Sequence, residues 1–261
     1  MDNYAIVTGG AGGLGKAFGF ELAKRGLNTI LIDLPEKGLK SICSDIQEKY
    51  KTKSFFYETD LTKVDNIIEI TNEINKKYDV SILINNAGTG GTRYFEDADI
   101  DYLNNIIQLN VMTTTIMTRQ ILPNLKKQKK SFILNISSMA AFSPIAFKTV
   151  YPASKTFIHS FTRGLYEEYK KTNVFVSVVN PGPMKTNREI SARIEKQGIL
   201  GKIGLLSPEK VAEISIRQLF KRDTLIMLNS VNGFNWLLMK IIPIGIRLPL
   251  LSRAIEREIK R

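Results

Sequence analysis

The stretch SSMAAFSPIAFKTVYPASK, Ser137 to Lys155, holds a serine, a tyrosine and a lysine at spacings that suit proton transfer. A phenol can take a proton from a hydroxyl or give one to a carbonyl oxygen, provided it ionises near neutral pH. Free tyrosine ionises near pH ~10, so reaching ~7 takes ~3 units, or about 4 kcal/mol in favour of phenolate. An ammonium ~4 Å away, at an effective dielectric of about 20, supplies a term of that order. Lys155 follows Tyr151 by four residues, which on a helix puts both on one face. Ser138 lies upstream, where a folded chain could set its hydroxyl beside the phenol. A tyrosine with a lysine one turn on is also a common surface pairing. The elements around the stretch must decide.

Apolar runs of strand length alternate with segments of helical period. Strands are predicted at 4–8, 28–33, 54–58, 81–85, 131–137 and 174–180, and helices at 13–25, 36–50, 64–77, about 100–125, 152–172 and 208–221. This pattern predicts an α/β fold: one Rossmann-type domain, a doubly wound parallel sheet with helices on both faces. Ligands of such sheets bind beyond the C-terminal strand ends. The first of these ends reads TGGAGGLGKAFG, with Thr8, Gly9, Gly13 and Gly15 in the spacing T-G-x-x-x-G-x-G. Glycines there permit a tight turn and let backbone N–H groups approach a pyrophosphate at a helix N-terminus. The second strand ends in Asp33, whose carboxylate can accept from both ribose hydroxyls of an adenosine and repels a 2′-phosphate. With no lysine or arginine in the loop 9–15, NAD is favoured over NADP. An aspartate at a strand end can equally cap the next helix.

Composition narrows the chemistry. One cysteine (Cys43) and one histidine (His159) exclude an intramolecular disulfide and a cysteine- or histidine-cluster metal site, and no metal is expected. His159 reads as a helix-surface or interface residue. The net charge of +12 includes the run KKQKK at 126–130, which falls between a helix and a strand and reads as a solvated turn. With no accompanying motif, nucleic-acid binding is not expected. The N-terminus has neither a basic leader nor an apolar signal segment, so a cytoplasmic protein is expected. Nothing marks a domain boundary before about residue 230. The chain divides into a nucleotide-binding and catalytic domain, 1–230, and an apolar, basic extension, 231–261.

Together these motifs resemble the short-chain dehydrogenase/reductase family over roughly residues 4–190. Besides the glycine loop, the chain carries DLT at 60–62, NNAG at 85–88, Asn110 in the long helix, ISS at 136–138, YPASK at 151–155 and NPGPMKT at 180–186. The resemblance implies a catalytic tetrad of Asn110, Ser138, Tyr151 and Lys155, with Asn110 binding a water that links Lys155 to solvent. It also implies cofactor contacts from Gly9, Gly13, Leu14, Gly15, Asp33, Asp60, Leu61, Asn86, Ala87, Gly88, Tyr151, Lys155, Pro181, Gly182 and Thr186. The implied activity is hydride transfer between NAD(H) and a secondary alcohol or ketone. The helix after YPASK looks most like the hydroxysteroid and 3-oxoacyl branch, which implies a hydrophobic substrate, and AAFSPIAF (140–147) lines the approach to Ser138 or merely packs a loop. A homodimer is implied, through the helices near 100–125 and 152–172. The family's common V-D-G-G-like tail is absent, and WLLMKIIPIGIRLPLLSRAIEREIKR stands in its place. That tail either packs on its own domain, closes over an apolar pocket, or lies on a membrane surface. Rival readings are an NAD-sensing regulator without turnover, and a membrane-bound structural protein that draws only on the tail.

Overall fold

The apolar runs pair as a seven-stranded parallel sheet in the order β3-β2-β1-β4-β5-β6-β7. The structure, a computed structural model, describes residues 3–184 and 205–259. Its strands are β1 (Asn3–Thr8), β2 (Asn28–Asp33), β3 (Ser54–Glu58), β4 (Asp79–Asn85), β5 (Ser131–Ile136), β6 (Val174–Val179) and β7 (Leu225–Ile226). The described helices are α1 (Gly13–Lys24), α2 (Leu39–Tyr50), α3 (Val64–Lys77), α4 (Ile100–Ile107), α5 (Thr113–Lys127), α6 (Val150–Tyr169), α7 (Pro208–Phe220), α8 (Ser230–Ile241) and α9 (Ile244–Ile259).

Strand periodicity builds two cores from single strands, because adjacent residues point to opposite faces. Val7, Leu31, Ile84 and Leu134 pack with Phe18 and Leu22 of α1, Ile46 of α2 and Leu219 of α7. Their neighbours Ile6, Ile30, Leu83 and Ile133 pack with Ile67 and Ile74 of α3 and Met117 and Ile121 of α5. Burying each such side chain contributes about 1.5–3 kcal/mol before entropy is counted. Strands β5 and β6 are buried at every position, which is why they read as unbroken apolar runs.

Three expectations change in detail. The helix read over 100–125 is two α-helices joined by a π-turn, Gln108–Met112, in which the Thr113 N–H reaches back to the Gln108 carbonyl. Helix α2 starts at Leu39 because Gly38 takes a left-handed backbone, φ +80°. The short strand β7 was missed, since two residues carry too little periodicity to see. The tail forms α8 and α9, broken at Pro243; among the described residues no helix is long and apolar enough to cross a membrane.

Strand order reverses between β1 and β4, and the crevice above that point is where an open α/β sheet binds its ligand. Beneath it runs a buried polar chain. Asn85 Nδ2 donates to Thr118 Oγ1 (2.9 Å) and Asn135 Oδ1 (2.8 Å), and Asn135 Nδ2 donates to Thr162 Oγ1 (2.9 Å). These bonds fix β4 and β5 against α5 and α6, the elements that present the site.

Candidate active site

Three local devices shape the loop after β1. Gly9 and Gly13 adopt left-handed φ values of +67° and +49°, which side chains other than glycine rarely take. Gly15 is required for space: a Cβ there would lie 1.8 Å from the Gly9 carbonyl oxygen. Asn86 staples the loop to β4, its Nδ2 donating to the carbonyls of Thr8 (3.0 Å) and Gly9 (3.2 Å). In return, Thr8 Oγ1 accepts from the N–H groups of Asn86 and Ala87. The outcome is a close backbone cradle over the N-terminus of α1, of the kind that holds a pyrophosphate.

Asp33 lies beside this cradle. Its carboxylate accepts from Ala11 N (2.9 Å) and Leu34 N (2.8 Å), so it does not cap α2, which begins at Leu39 behind Gly38. Held at both oxygens, it is a fixed acceptor next to the glycine loop. Asp60 folds the turn after β3, accepting from the Thr62 N–H (2.9 Å) and hydroxyl (2.7 Å). Leu61 is buried and its carbonyl accepts from Thr113 Oγ1 (2.6 Å), which ties this turn to α5. A dinucleotide fits this donor and acceptor set: a glycine cradle for phosphate, then a strand-end carboxylate for ribose.

The acid–base residues come from three elements. Ser138 follows β5, where its Oγ accepts from Ala140 N (3.1 Å) at the head of a short 3-10 turn. Tyr151 and Lys155 lie one turn apart on α6, both lining the cavity, with the Lys155 amine 5.8 Å from the tyrosine ring centre. Lys155 Nζ donates to the Ile136 carbonyl (2.9 Å), and Ser137 Oγ donates to the Lys155 carbonyl (2.7 Å), which pins α6 to the end of β5.

Asn110 sits in the π-turn, 1% exposed, and its side chain is used inside the protein. Oδ1 accepts from Thr89 N (2.8 Å), while Nδ2 donates to Thr89 O (2.9 Å) and Ser154 Oγ (2.9 Å). The side-chain amide therefore braces the segment after NNAG against α6. Gly90, in the same segment, was not singled out from sequence. A Cβ there would fall 2.5 Å from the Tyr151 ring, so the backbone at 90 is the surface on which that ring rests.

One cavity of about 490 Å³ gathers these groups. Leu14, Asn86, Gly88, Pro181 and Gly182 line it together with Ser138, Tyr151 and Lys155. Met184, Met239, Leu251, Ala254 and Ile255 close the far side, the last four contributed by α8 and α9. The described part of the tail thus covers the cavity. It is latched there by Arg247, which donates to the Phe142 carbonyl (2.9 Å) and to the Met239 carbonyl, and by Ser252 Oγ, which accepts from Ala146 N (3.3 Å). Thr186, and the segment after it that should shape the substrate end, lie outside the described residues.

Burial governs the charges. It raises the Tyr151 phenol above its ordinary value, opposed by a hydrogen bond from Ser138 that favours the phenolate. It lowers Lys155 to about 8. Burial thus opposes the charged form of both groups, and the attraction expected of Lys155 for a Tyr151 phenolate has to act against that desolvation. An amine depressed in the folded state binds fewer protons than in the unfolded chain, so its penalty is full below about 8 and fades as pH rises toward ~10.4. Removing the amine with Lys155→Met should raise the melting temperature most below pH ~8, and that gain should shrink by pH ~10. Thermal denaturation of both proteins across this range, without added nucleotide, checks it; a gap constant with pH would contradict the assignment.

Known proteins place the chain in a family. The family model for short chain dehydrogenases matches residues 3–197. Hydroxysteroid dehydrogenase-like protein 1 of Gallus gallus is 34% identical over 193 residues, 73% of this chain and 58% of that protein. Very-long-chain 3-oxoacyl-CoA reductase of Macaca fascicularis is 35% identical over 185 residues, 69% of this chain and 59% of the relative. The chain therefore spans under two thirds of the length of these curated relatives. Among solved structures, a 7β-hydroxysteroid dehydrogenase superposes with a TM-score of 0.82 at 19% identity, covering 95% of this chain and 96% of that one, which supports the fold. With three quarters of its length matched and the motif residues gathered at one crevice, the chain belongs to the short-chain dehydrogenase family.

Proposed function

We propose that the protein is an oxidoreductase that transfers a hydride between NAD(H) and a hydrophobic secondary alcohol or its ketone. The observation that carries this reading is one cavity lined together by Ser138, Tyr151 and Lys155, by Leu14 and Asn86 of the dinucleotide cradle, and by apolar residues of the tail. A bound nicotinamide supplies the hydride acceptor or donor and, when oxidised, a positive charge. Tyr151 takes the substrate hydroxyl proton in oxidation and returns it to the carbonyl oxygen in reduction. Ser138 holds that oxygen through its hydroxyl. Lys155, whose amine faces the cavity with one carbonyl partner among the described residues, has donors to spare for ribose hydroxyls and stabilises the phenolate. Asn110 acts at one remove, as a positioning residue that keeps residues 89–90 under the Tyr151 ring.

The cavity volume suits a steroid-sized molecule or part of an acyl chain. The two relatives are named for such substrates, which supports the same class here. A homodimer belongs to this reading as well: exposed Ile107 and Met112, and Phe157 stacked on Phe161, offer apolar contact on the faces expected to pair.

Incubation with NAD and a panel of secondary alcohols, followed by nicotinamide absorbance, tests the activity. Tight NAD binding with no turnover of any alcohol or ketone would favour a sensor instead. Cofactor choice rests on Asp33. Asp33→Ala should weaken NAD about 10- to 100-fold, the scale of losing charge-assisted hydrogen bonds, and should narrow discrimination against NADP. Calorimetric titration measures both; wild-type protein that binds NADP as tightly as NAD would overturn the choice.

A further inference from the structure

The helical pair that walls the cavity is apolar on its outer side too. A surface helix ordinarily turns polar residues to solvent. On α8 the inward residues are Asn232, Trp236 and Met239, yet the outward ones are Phe234, Leu237 and Ile241; Ile241 is 66% exposed. The ridge continues around the break at Pro243 through Ile244 and Ile246 to Leu250 on α9, all exposed. Such a contiguous exposed apolar ridge marks a contact surface.

Charge identifies the occupant. Between Asp223 and Glu256 the chain has no acidic residue, while Lys240, Arg247 and Arg253 are basic. Arg247 is committed to the latch inside. Lys240 and Arg253 remain exposed on the ridge's flanks, and the Lys240 amine lies 4.0 Å from the centre of the Trp236 ring. Two copies meeting through this ridge on a two-fold axis would bring like charges together. A surface that accepts apolar side chains a few ångströms deep and is itself negative satisfies both features: an anionic bilayer.

We infer that the protein docks on anionic membrane through the outer ridge of α8 and α9, which sets the cavity one helix layer from the lipid. No crossing is involved, in keeping with the prolines and basic residues that interrupt the tail. The docking stands on the ridge alone; its use for delivering an apolar substrate rests on the proposed dehydrogenase activity.

Sedimentation of the full chain with phosphatidylcholine–phosphatidylserine vesicles at low salt tests it, beside pure phosphatidylcholine vesicles. The wild type should pellet with the anionic vesicles only and be released as salt is raised, since screening weakens the attraction. The double variant Ile244→Asp/Ile246→Asp should lose about tenfold or more in vesicle partitioning. Its turnover of a water-soluble ketone without vesicles should stay at wild-type level, as neither residue lines the cavity. Wild-type protein left in the supernatant, a variant that pellets equally, or equal binding to neutral vesicles would each overturn the inference. So would light scattering, without vesicles, showing an assembly that this variant breaks apart, because a second copy would then own the ridge. Vesicle binding is read without turnover, so an inactive protein that pellets would count against the proposed activity alone.

Discussion

Tyr151→Phe should abolish turnover while leaving a folded, cofactor-binding protein. The substitution removes one oxygen from a half-buried ring whose face rests on the backbone at Gly90, and phenylalanine keeps that packing. What disappears is the proton carrier together with its hydrogen bond to Ser138. General acid–base catalysis typically supplies 10²–10⁴-fold, so kcat should fall by at least about a hundredfold. Fluorescence titration with NADH should report affinity close to wild type, and the melting temperature should move by only a few degrees, since one modest hydrogen bond is worth about 1 kcal/mol. Retention of more than about a tenth of the activity would remove Tyr151 from the mechanism. Lys155→Ala should differ in kind, lowering both cofactor affinity and rate, because that amine faces the cavity and also pins α6 to the end of β5. The split between the two variants is what a catalytic assignment demands; a merely structural tyrosine would lower stability and activity together.

Burial at the site sharpens this expectation. Burial alone holds the Tyr151 phenol up and the Lys155 amine down, so the unliganded site is poised against the charged pair that oxidation needs. A cationic nicotinamide would shift that balance by adding positive charge beside the phenol. The pH dependence of kcat/KM should therefore differ from that of cofactor-free stability, even though both report the same two residues.

Much of this was legible along the chain because parallel sheets write themselves as apolar runs. Ile30–Leu31 and Ile133–Leu134 needed no alternation, being buried on both faces, and the loops between runs then had to carry the chemistry. Ser138, Tyr151 and Lys155 could be placed together because each lies within a few residues of a strand end or a helix start. What could not be read depended on contacts between distant segments. Asp33 was ambiguous until Ala11 appeared as its partner. That the Asn110 side chain braces Thr89 and Ser154 could not be read, since both partners are distant in sequence. Gly90 carried no signal, since its reason for being glycine is a ring sixty-one positions later. The tail left three readings open because its inner and outer faces are both apolar, and periodicity cannot say which face meets the domain. Met239 and Leu251 on the cavity wall, with Phe234 and Ile241 outside, divide those faces.

Gly15→Ala should be severely damaging for a change of a single methyl group. Its Cβ would stand 1.8 Å from the Gly9 carbonyl oxygen and 2.7 Å from Asn86 Nδ2. The first obstacle is backbone, so no side-chain rotation relieves it, and either α1 or the loop must move. Moving the loop stretches the bonds by which Asn86 holds Thr8 and Gly9, and it displaces the N–H groups of the phosphate cradle. Overpacking of this sort costs about 1–3 kcal/mol, or roughly 2–4 °C of melting temperature per kcal/mol in a protein of this size. The functional loss should be larger than the stability loss: NAD affinity should fall about a hundredfold or more, because pyrophosphate recognition requires backbone approach that a shifted loop no longer allows. Gly12→Ala is the matched control. A Cβ at Gly12 meets nothing within 4 Å, and its φ of −152° is ordinary for any residue. It should bind NAD within a few-fold of wild type. If Gly15→Ala binds equally well, the close contact with Gly9 does not shape the cradle; if Gly12→Ala fails as badly, the loop binds through freedom of its backbone and the steric reading of Gly15 is wrong.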